Sequence, residues 1–158
     1  MRAEWINPFI KAAEDVFINY GLGFKIGKPE LQGTEVLGNE VNVTIGITGD
    51  IKGHVILSLG TNEALAVARN IVPWEITDFD EIASSSISEL TNILVGRAST
   101  YFEQIGLATD LSVPSVFTGN SIKVYSTGVQ NIAIPFTLYD NNAAGNYSGF
   151  LSVSFQPA

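Results

Sequence analysis

The sequence predicts an α+β fold in which an antiparallel sheet is packed by helices. Three segments carry apolar residues at helical spacing, and several later runs read as strands joined by short turns. The two halves of the chain also resemble each other as copies of one helix-then-strands unit, which predicts a pseudo-twofold arrangement. With 158 residues and no obvious linker, one domain over residues 1–158 is expected.

The composition supports a folded core and excludes several functions. Apolar residues make up 46% of the chain and charged residues 15%, so wholesale disorder is excluded. The net charge of −8 argues against nucleic acid and against an anionic membrane surface as partners. The chain has no cysteine and one histidine, which excludes disulfides, thiol catalysis and multi-histidine zinc sites. His54, on a predicted strand, is expected to be structural.

The N-terminal segment and the hydropathy of the chain indicate where the protein is located. Charged residues interrupt the N-terminal segment, so it has no apolar core of the kind that a signal peptide needs. No run approaches the roughly 18 apolar residues of a membrane span. We therefore expect a cytoplasmic protein.

The first half of the chain is predicted to contain two helices and two strands. Asn7 as N-cap and Pro8 at the first helical position begin a helix that Gly21 ends. Strict alternation over 41–48 predicts a half-buried strand, and the short turn after it makes the strand at 54–59 antiparallel. A helix with Thr61 as cap is then predicted from 62 to about 72.

The second half begins with the longest helical pattern, from Asp78 to Ile105, with Glu81 completing a capping box and Gly106 ending the helix. Further strands are predicted at 109–118, 121–127, 132–139 and 148–155, with a turn at 140–142. Pro135 cannot donate to a strand ladder, so an edge or a bulge is expected there.

Two sequence echoes support the repeat. The pattern Gly49-x-x-x-Gly53 and its following strand recur 96 residues later at Gly145-x-x-x-Gly149. Gly21-Leu22 recurs 85 residues later as Gly106-Leu107.

The third helix carries a polar pair opposite its core face. At about 100° per residue, the core face is predicted to contain Phe79, Ala83, Ile87, Leu90, Leu94, Ala98, Tyr101 and Ile105. Glu89 and Asn92 project together from the other side. Small residues and two isoleucines outside the core stripe surround them: Ser85, Gly96, Thr100, Ile82 and Ile93. A solvated helix face is the ordinary interpretation of such a pair, but it rarely carries two isoleucines.

The spacing Ser85-x-x-x-Glu89-x-x-Asn92, followed by Pro114, resembles the signature of the CheC/CheX/FliY family of chemotaxis phosphatases, CheX type. Further segments similar to that type cover nearly the whole chain: Asn7-Pro8-Phe9, 27–29, 49–53, 75–78 and 113–119. The resemblance implies a CheC/CheX-like fold and hydrolysis of the aspartyl phosphate of a phosphorylated CheY-like response regulator. It also implies a homodimer, no cofactor of the chain's own, and Mg²⁺ on the response regulator.

The resemblance also implies roles for individual residues. Asn92 positions the attacking water, and Glu89 pairs with a lysine of the regulator. Ser85 is a secondary contact, and Ile82, Ile93 and Gly96 are expected to bind the partner. The alternative is a non-catalytic adaptor that docks a receiver domain or another signalling protein through the same helix.

A second copy of the motif occurs at Glu4-x-x-Asn7 and Pro29. Because the residue before a proline is pushed out of the α region, Asn7 is expected to cap the helix and Glu4 to precede it. The two side chains would then not share a helical face, so one active site per chain is predicted.

Overall fold

The computed structural model describes residues 3–140 and 145–157. Its helices are α1 (Ala3–Asn19), α2 (Thr61–Ile71) and α3 (Glu81–Gln104). Its strands are β1 (Leu22–Ile26), β2 (Glu30–Gly33), β3 (Glu35–Gly38), β4 (Val41–Gly49), β5 (Ile51–Leu59), β6 (Thr109–Leu111), β7 (Ser115–Thr118), β8 (Ile122–Tyr125), β9 (Asn131–Asp140) and β10 (Gly145–Pro157). None of the helices in these ranges combines the length and hydropathy that crossing a membrane requires.

The strands form one large antiparallel sheet and one small one. The large sheet has the order β1-β9-β10-β5-β4-β6, with β2 also paired to β9 and β7 to β4. β3 and β8 form the two-stranded sheet. The predicted α+β class is confirmed.

The main core lies between the large sheet and the helices. Alternate residues of β4 face it, and Val41, Val43, Ile45 and Ile47 are all buried. Phe9 of α1 stacks on Phe155 of β10 with ring centroids 5.4 Å apart. The two halves of the chain therefore share one core.

The predicted pseudo-twofold arrangement is confirmed by the sheet order. Each half contributes a hairpin, β4–β5 or β9–β10, and the inner strands β5 and β10 pair at the centre. Gly53 lies opposite Phe155, and Gly149 lies opposite Leu59. The offset of 96 residues converts the first pair into the second. The helices obey the offset of 85 residues, since Gly21 and Gly106 both follow helix ends with positive φ, 81° and 86°.

The first helix begins earlier than the sequence predicts. α1 starts at Ala3, and Pro8 lies inside it rather than at its first position. Proline removes one backbone hydrogen bond there. Trp5, only 6% exposed, packs into the core together with Phe9. Burial of this apolar surface offsets the lost bond, so the prediction of Asn7 as N-cap is wrong.

Two other caps differ by one or two residues. Asp80, not Asp78, caps α3, and its Oδ1 accepts a hydrogen bond from the Ala83 backbone N–H at 2.9 Å. Asp78 lies in a preceding turn, where its carbonyl accepts from the Asp80 N–H. Gly60, not Thr61, is the N-cap of α2.

The later strands follow the prediction with two refinements. The segment 109–118 is split into β6 and β7, with Pro114 between them. Pro135 lies within β9, where that strand passes from pairing with β2 to pairing with β1. The Gly27 N–H donates to the Pro135 carbonyl at 2.7 Å, so the missing N–H faces this interruption. Two of the three residues of the predicted turn at 140–142 lie outside the described residues.

β3 and β8 lie against the face of the large sheet opposite the helices. Polar contacts beside the ends of β3 and β8 hold this layer. The Asn39 N–H donates to Ser58 Oγ at 2.8 Å, and Asn131 Nδ2 donates to the Gly33 carbonyl at 3.0 Å. Ser126 Oγ donates to Asn131 Oδ1 at 3.1 Å. The residues between the layers are thus largely polar, unlike the main core.

Candidate active site

The helix α3 is held rigidly by its buried face. Its buried residues are Ala83, Ser86, Ile87, Leu90, Thr91, Leu94, Val95, Ala98 and Phe102. The predicted core face is therefore right in its centre. It is wrong at the C-terminal end, where Phe102 is fully buried and Ile105 is 51% exposed. The reason is that the helix ends at Gln104, so Ile105 no longer follows the helical periodicity.

Glu89 and Asn92 lie side by side on the opposite face. Glu89 is exposed and Asn92 is partly exposed, which confirms the predicted accessibility. Residues three apart on a helix are neighbours, with Cβ atoms about 5–6 Å apart. Between them in sequence, Leu90 and Thr91 are fully buried, and Thr91 Oγ1 donates to the Ile87 carbonyl at 2.7 Å. The turn that carries the polar pair is therefore anchored in the core.

The two side chains are available to a partner. In the part of the chain that the structure describes, neither Glu89 nor Asn92 has a side-chain hydrogen bond or ion pair. A carboxylate and a neutral amide thus face solvent from a fixed backbone. The arrangement can hold a cation and orient a water molecule at the same time.

The residues that the sequence predicts to contact the partner lie around the pair. Ile82 is 45% exposed and Ile93 is 37% exposed. Ser85 is exposed and Gly96 is partly exposed. At about 100° per residue, all four lie within about 40° of Glu89 around the helix axis. The structure therefore brings the predicted site residues together on one strip of α3, which we call the α3 strip: Ile82, Ser85, Glu89, Asn92, Ile93 and Gly96.

A cluster of charged and aromatic side chains, which sequence analysis missed, borders the C-terminal end of the α3 strip. Arg97 Nη1 lies 3.7 Å from Asp15 Oδ2, and the Tyr101 hydroxyl donates to the same carboxylate. Lys11 Nζ lies 4.4 Å from the centroid of the Tyr101 ring. The hydrogen bond to Asp15 is the main cause of a raised Tyr101 pKa. Since Asp15 and Lys11 are on α1, no local pattern in α3 indicates this cluster.

The second copy of the motif is placed differently from expectation. Glu4 and Asn7 are both exposed and both lie within α1, three residues apart. The prediction that they do not share a helical face is therefore wrong, because α1 continues N-terminally past Pro8. The flanks of the pair still differ from those on α3. At the offset of 85 residues, the counterparts of Ile93 and Gly96 are the buried Pro8 and the exposed Lys11.

His54 lies on β5 and faces the polar layer beneath β8. Its Nε2 is 3.1 Å from Ser126 Oγ, which itself donates to Asn131. Since the Ser126 proton is used in that bond, Nε2 of the neutral imidazole is the donor to Ser126. Burial lowers the pKa of His54, and hydrogen bonding involving Asn131 partly opposes the shift. These contacts support the predicted structural role.

A family model and a related protein of known name both match this sequence. Residues 41–137 match the family model described as chemotaxis phosphatase CheX. A protein of Thermotoga maritima named CheY-P phosphatase CheX is 34% identical over 131 residues, which cover 82% of this chain and 84% of that protein.

Solved structures match over almost the whole chain. The CheX–CheY–BeF3–Mg²⁺ complex from Borrelia burgdorferi gives a TM-score of 0.81 at 25% identity, covering 98% of this chain and 99% of that one. Chemotaxis protein CheX from Vibrio vulnificus gives a TM-score of 0.84 at 22% identity, covering 98% and 100%.

Proposed function

The chain belongs to the CheX family of chemotaxis phosphatases, and we propose that it uses the α3 strip to dephosphorylate a phosphorylated CheY-like response regulator. The observation that carries this assignment is the position of Glu89 and Asn92. Both are accessible, and they are neighbours on a helix whose other face is fixed in the core. A rigid scaffold of this kind can hold reacting groups in a productive geometry.

Asn92 is proposed to position the attacking water. Hydrolysis of an aspartyl phosphate requires a water molecule in line with the bond that breaks. The Asn92 amide offers one acceptor and two donor hydrogens, and its neutrality avoids repulsion of the phosphoryl oxygens. No covalent nucleophile is needed on this chain, because the water attacks phosphorus and the regulator's aspartate leaves.

Glu89 is proposed to anchor the regulator. Its exposed carboxylate is free to pair with a lysine beside the phosphoaspartate of the partner. Such a charge pair at an interface orients the two proteins and contributes to binding when it is partly desolvated. Ser85, Ile82 and Ile93 would complete the contact around it.

The Mg²⁺ that neutralises developing charge in phosphoryl transfer is proposed to be held by the regulator. Glu89 is the only carboxylate on the α3 strip, which suits an ion pair better than a metal cage. Within the described ranges, no three histidine, aspartate or glutamate side chains are grouped in a way that could hold a metal ion.

We also propose that the protein is a homodimer through the β3–β8 layer. Leu37, Phe117 and Tyr125 are 64%, 51% and 66% exposed on or beside this layer. In the described part of the chain, β3 and β8 pair only with each other, so both edges of that sheet are open to another strand. Sedimentation of the wild type and of a Leu37→Asp variant tests the proposal, and a monomeric wild type would contradict it.

The decisive experiment for the catalytic assignment measures phosphate release from a phosphorylated CheY-like receiver domain with and without this protein. Stimulated release is expected. Tight binding without stimulation would instead support a non-catalytic adaptor. A receiver whose phosphorylatable aspartate is replaced by asparagine is the matched control.

A further inference from the structure

Gly96 lies in the middle of α3 at a partly exposed position on the α3 strip. Its backbone is helical, and it is not among the glycines with positive φ. The conformational freedom of glycine is therefore not used here. A glycine within a helix makes the helix less stable than an alanine would, since glycine loses more backbone entropy on folding and buries no side chain. Its presence in a rigid helix requires another reason.

Packing within the chain does not supply that reason. A Cβ atom added at Gly96 would have no described neighbour within 4 Å beyond the adjoining helix backbone. Gly53 is the opposite case, because a Cβ there would lie 1.7 Å from the Ser154 carbonyl oxygen. A side chain at position 96 would thus extend into open space at the surface of the protein.

This empty space forms a shallow notch that opens to solvent. A cavity of about 370 Å³ is bounded by Ile93, Gly96, Arg97, Thr100 and Tyr101. The Tyr101 hydroxyl donates a hydrogen bond to Asp15 of α1, and Arg97 lies 3.7 Å from the same carboxylate, so one wall of the notch contacts α1. The Tyr101 side of the notch is therefore held in place before a partner arrives, which reduces the entropic cost of binding there.

The notch adjoins the reacting groups. Gly96 follows Asn92 by about one helical turn, or roughly 6 Å along the axis. A protein that covers Asn92 with a surface of ordinary interface size, about 800 Å² per partner, also covers Gly96.

We infer that the notch at Gly96 receives an apolar side chain of the receiver domain, so that Gly96 determines which receivers the phosphatase accepts. This inference rests on the proposed function, because the occupant is the same receiver that Asn92 and Glu89 engage. Beside the polar Arg97 and Thr100, the exposed Ile93 side chain and the Tyr101 ring give the notch an apolar side that favours an apolar occupant. Buried apolar anchors in preformed pockets commonly dominate interface energetics.

The test compares Gly96→Ala and Gly96→Leu with the wild type. Both variants are expected to melt at or above the wild-type Tm, because the added Cβ meets no neighbour and the helix gains propensity. Gly96→Leu fills the notch and is expected to raise the KM for the phosphorylated receiver about tenfold or more. Its kcat should stay within about twofold, because Asn92 is unchanged. Asn62→Leu, which adds the same side chain at an exposed position of α2, is the control and should leave both constants unchanged.

The outcomes separate the inference from the proposed function. Wild-type activity together with an unaltered KM for Gly96→Leu overturns the role of Gly96 alone. A fall in kcat at constant KM also overturns it, since the effect would then lie in the chemistry and not in docking. A wild-type protein without stimulated phosphate release overturns the proposed function and the role of Gly96 with it.

Discussion

Phe102 of α3 packs edge to face against Phe9 of α1, with ring centroids 5.5 Å apart and an interplanar angle of 67°. Both rings are fully buried, and both also contact Phe155 of β10. This aromatic cluster joins the two helices to the centre of the sheet. It supports the C-terminal half of α3 from the side opposite the α3 strip.

Phe102→Ala should therefore destabilise the whole protein. Removing a fully buried ring leaves a cavity, and such a change costs about 3–5 kcal/mol. The free energy of unfolding from urea titration is the measurement. Leu31→Ala, at a position 63% exposed on β2, should change it by no more than about 0.5 kcal/mol. Equal losses in the two variants would show that the aromatic cluster contributes little.

Asn92→Ala should lower turnover by roughly 10²-fold, a size typical of the loss of one preorganised polar group. Affinity for a receiver carrying a stable phosphoryl mimic should change little, because Glu89 and the isoleucines remain. Steady-state phosphate release and a binding titration measure the two quantities. Full turnover in this variant would exclude water positioning by Asn92.

Glu89→Ala should weaken both turnover and affinity. The variant leaves the receiver lysine without its partner at the interface, which costs a few kcal/mol at most in binding, about 2–5. Glu103→Ala, which removes another exposed carboxylate of α3 farther along the helix, is the matched control and should bind normally. An affinity of Glu89→Ala equal to that of the control would contradict the anchoring role.

Glu4→Ala should leave turnover nearly intact. Although Glu4 and Asn7 share a helical face, Pro8 and Lys11 stand where the α3 strip has Ile93 and Gly96. The pair on α1 therefore lacks the apolar contact and the notch that would hold a receiver. Parallel assays of Glu4→Ala and Glu89→Ala decide the point. A large loss in the former would reveal a second active site.

His54 should make the protein less stable in mild acid. Because burial lowers the folded-state pKa below the ordinary value of 6.5, the unfolded chain binds the proton more readily. The stabilising contribution is fully present above the unfolded pKa and is lost as the pH falls below it. His54→Gln can keep a hydrogen bond to Ser126 without titrating. Between about pH 7.5 and 5.5, the Tm of the wild type should fall more than that of His54→Gln. Parallel curves would mean that His54 is uncoupled from folding.

Local patterns in the sequence predict the three helices and the longer strands because they are tied to short-range physics. They do not predict β1, β2 and β3, whose partners β9 and β8 lie far along the chain. The alternation in β4, the glycines that follow α1 and α3, and the exposed pair on α3 depend on residues within a few positions of one another. The start of α1 does not, since the burial of Trp5 against distant parts of the core decides it. The contact of Arg97 and Tyr101 with Asp15 likewise joins residues more than 80 positions apart. The resemblance to a family, and not periodicity, supplied the roles of Glu89 and Asn92.

Each outer strand of the large sheet pairs with a strand of the other half of the chain, and this has a consequence for biosynthesis. Within residues 3–140 and 145–157, β1 pairs with β9 alone, as in the pair Leu22 and Asp140, and β6 pairs with β4 of the other half. The ribosome must therefore release β9, more than 100 residues further along the chain, before β1 finds its partner. Pairings this distant in sequence slow folding, because a long loop closes before its contacts form. The duplicated halves are thus committed to fold together, and a nascent N-terminal half carries an unpaired strand until β9 has been released.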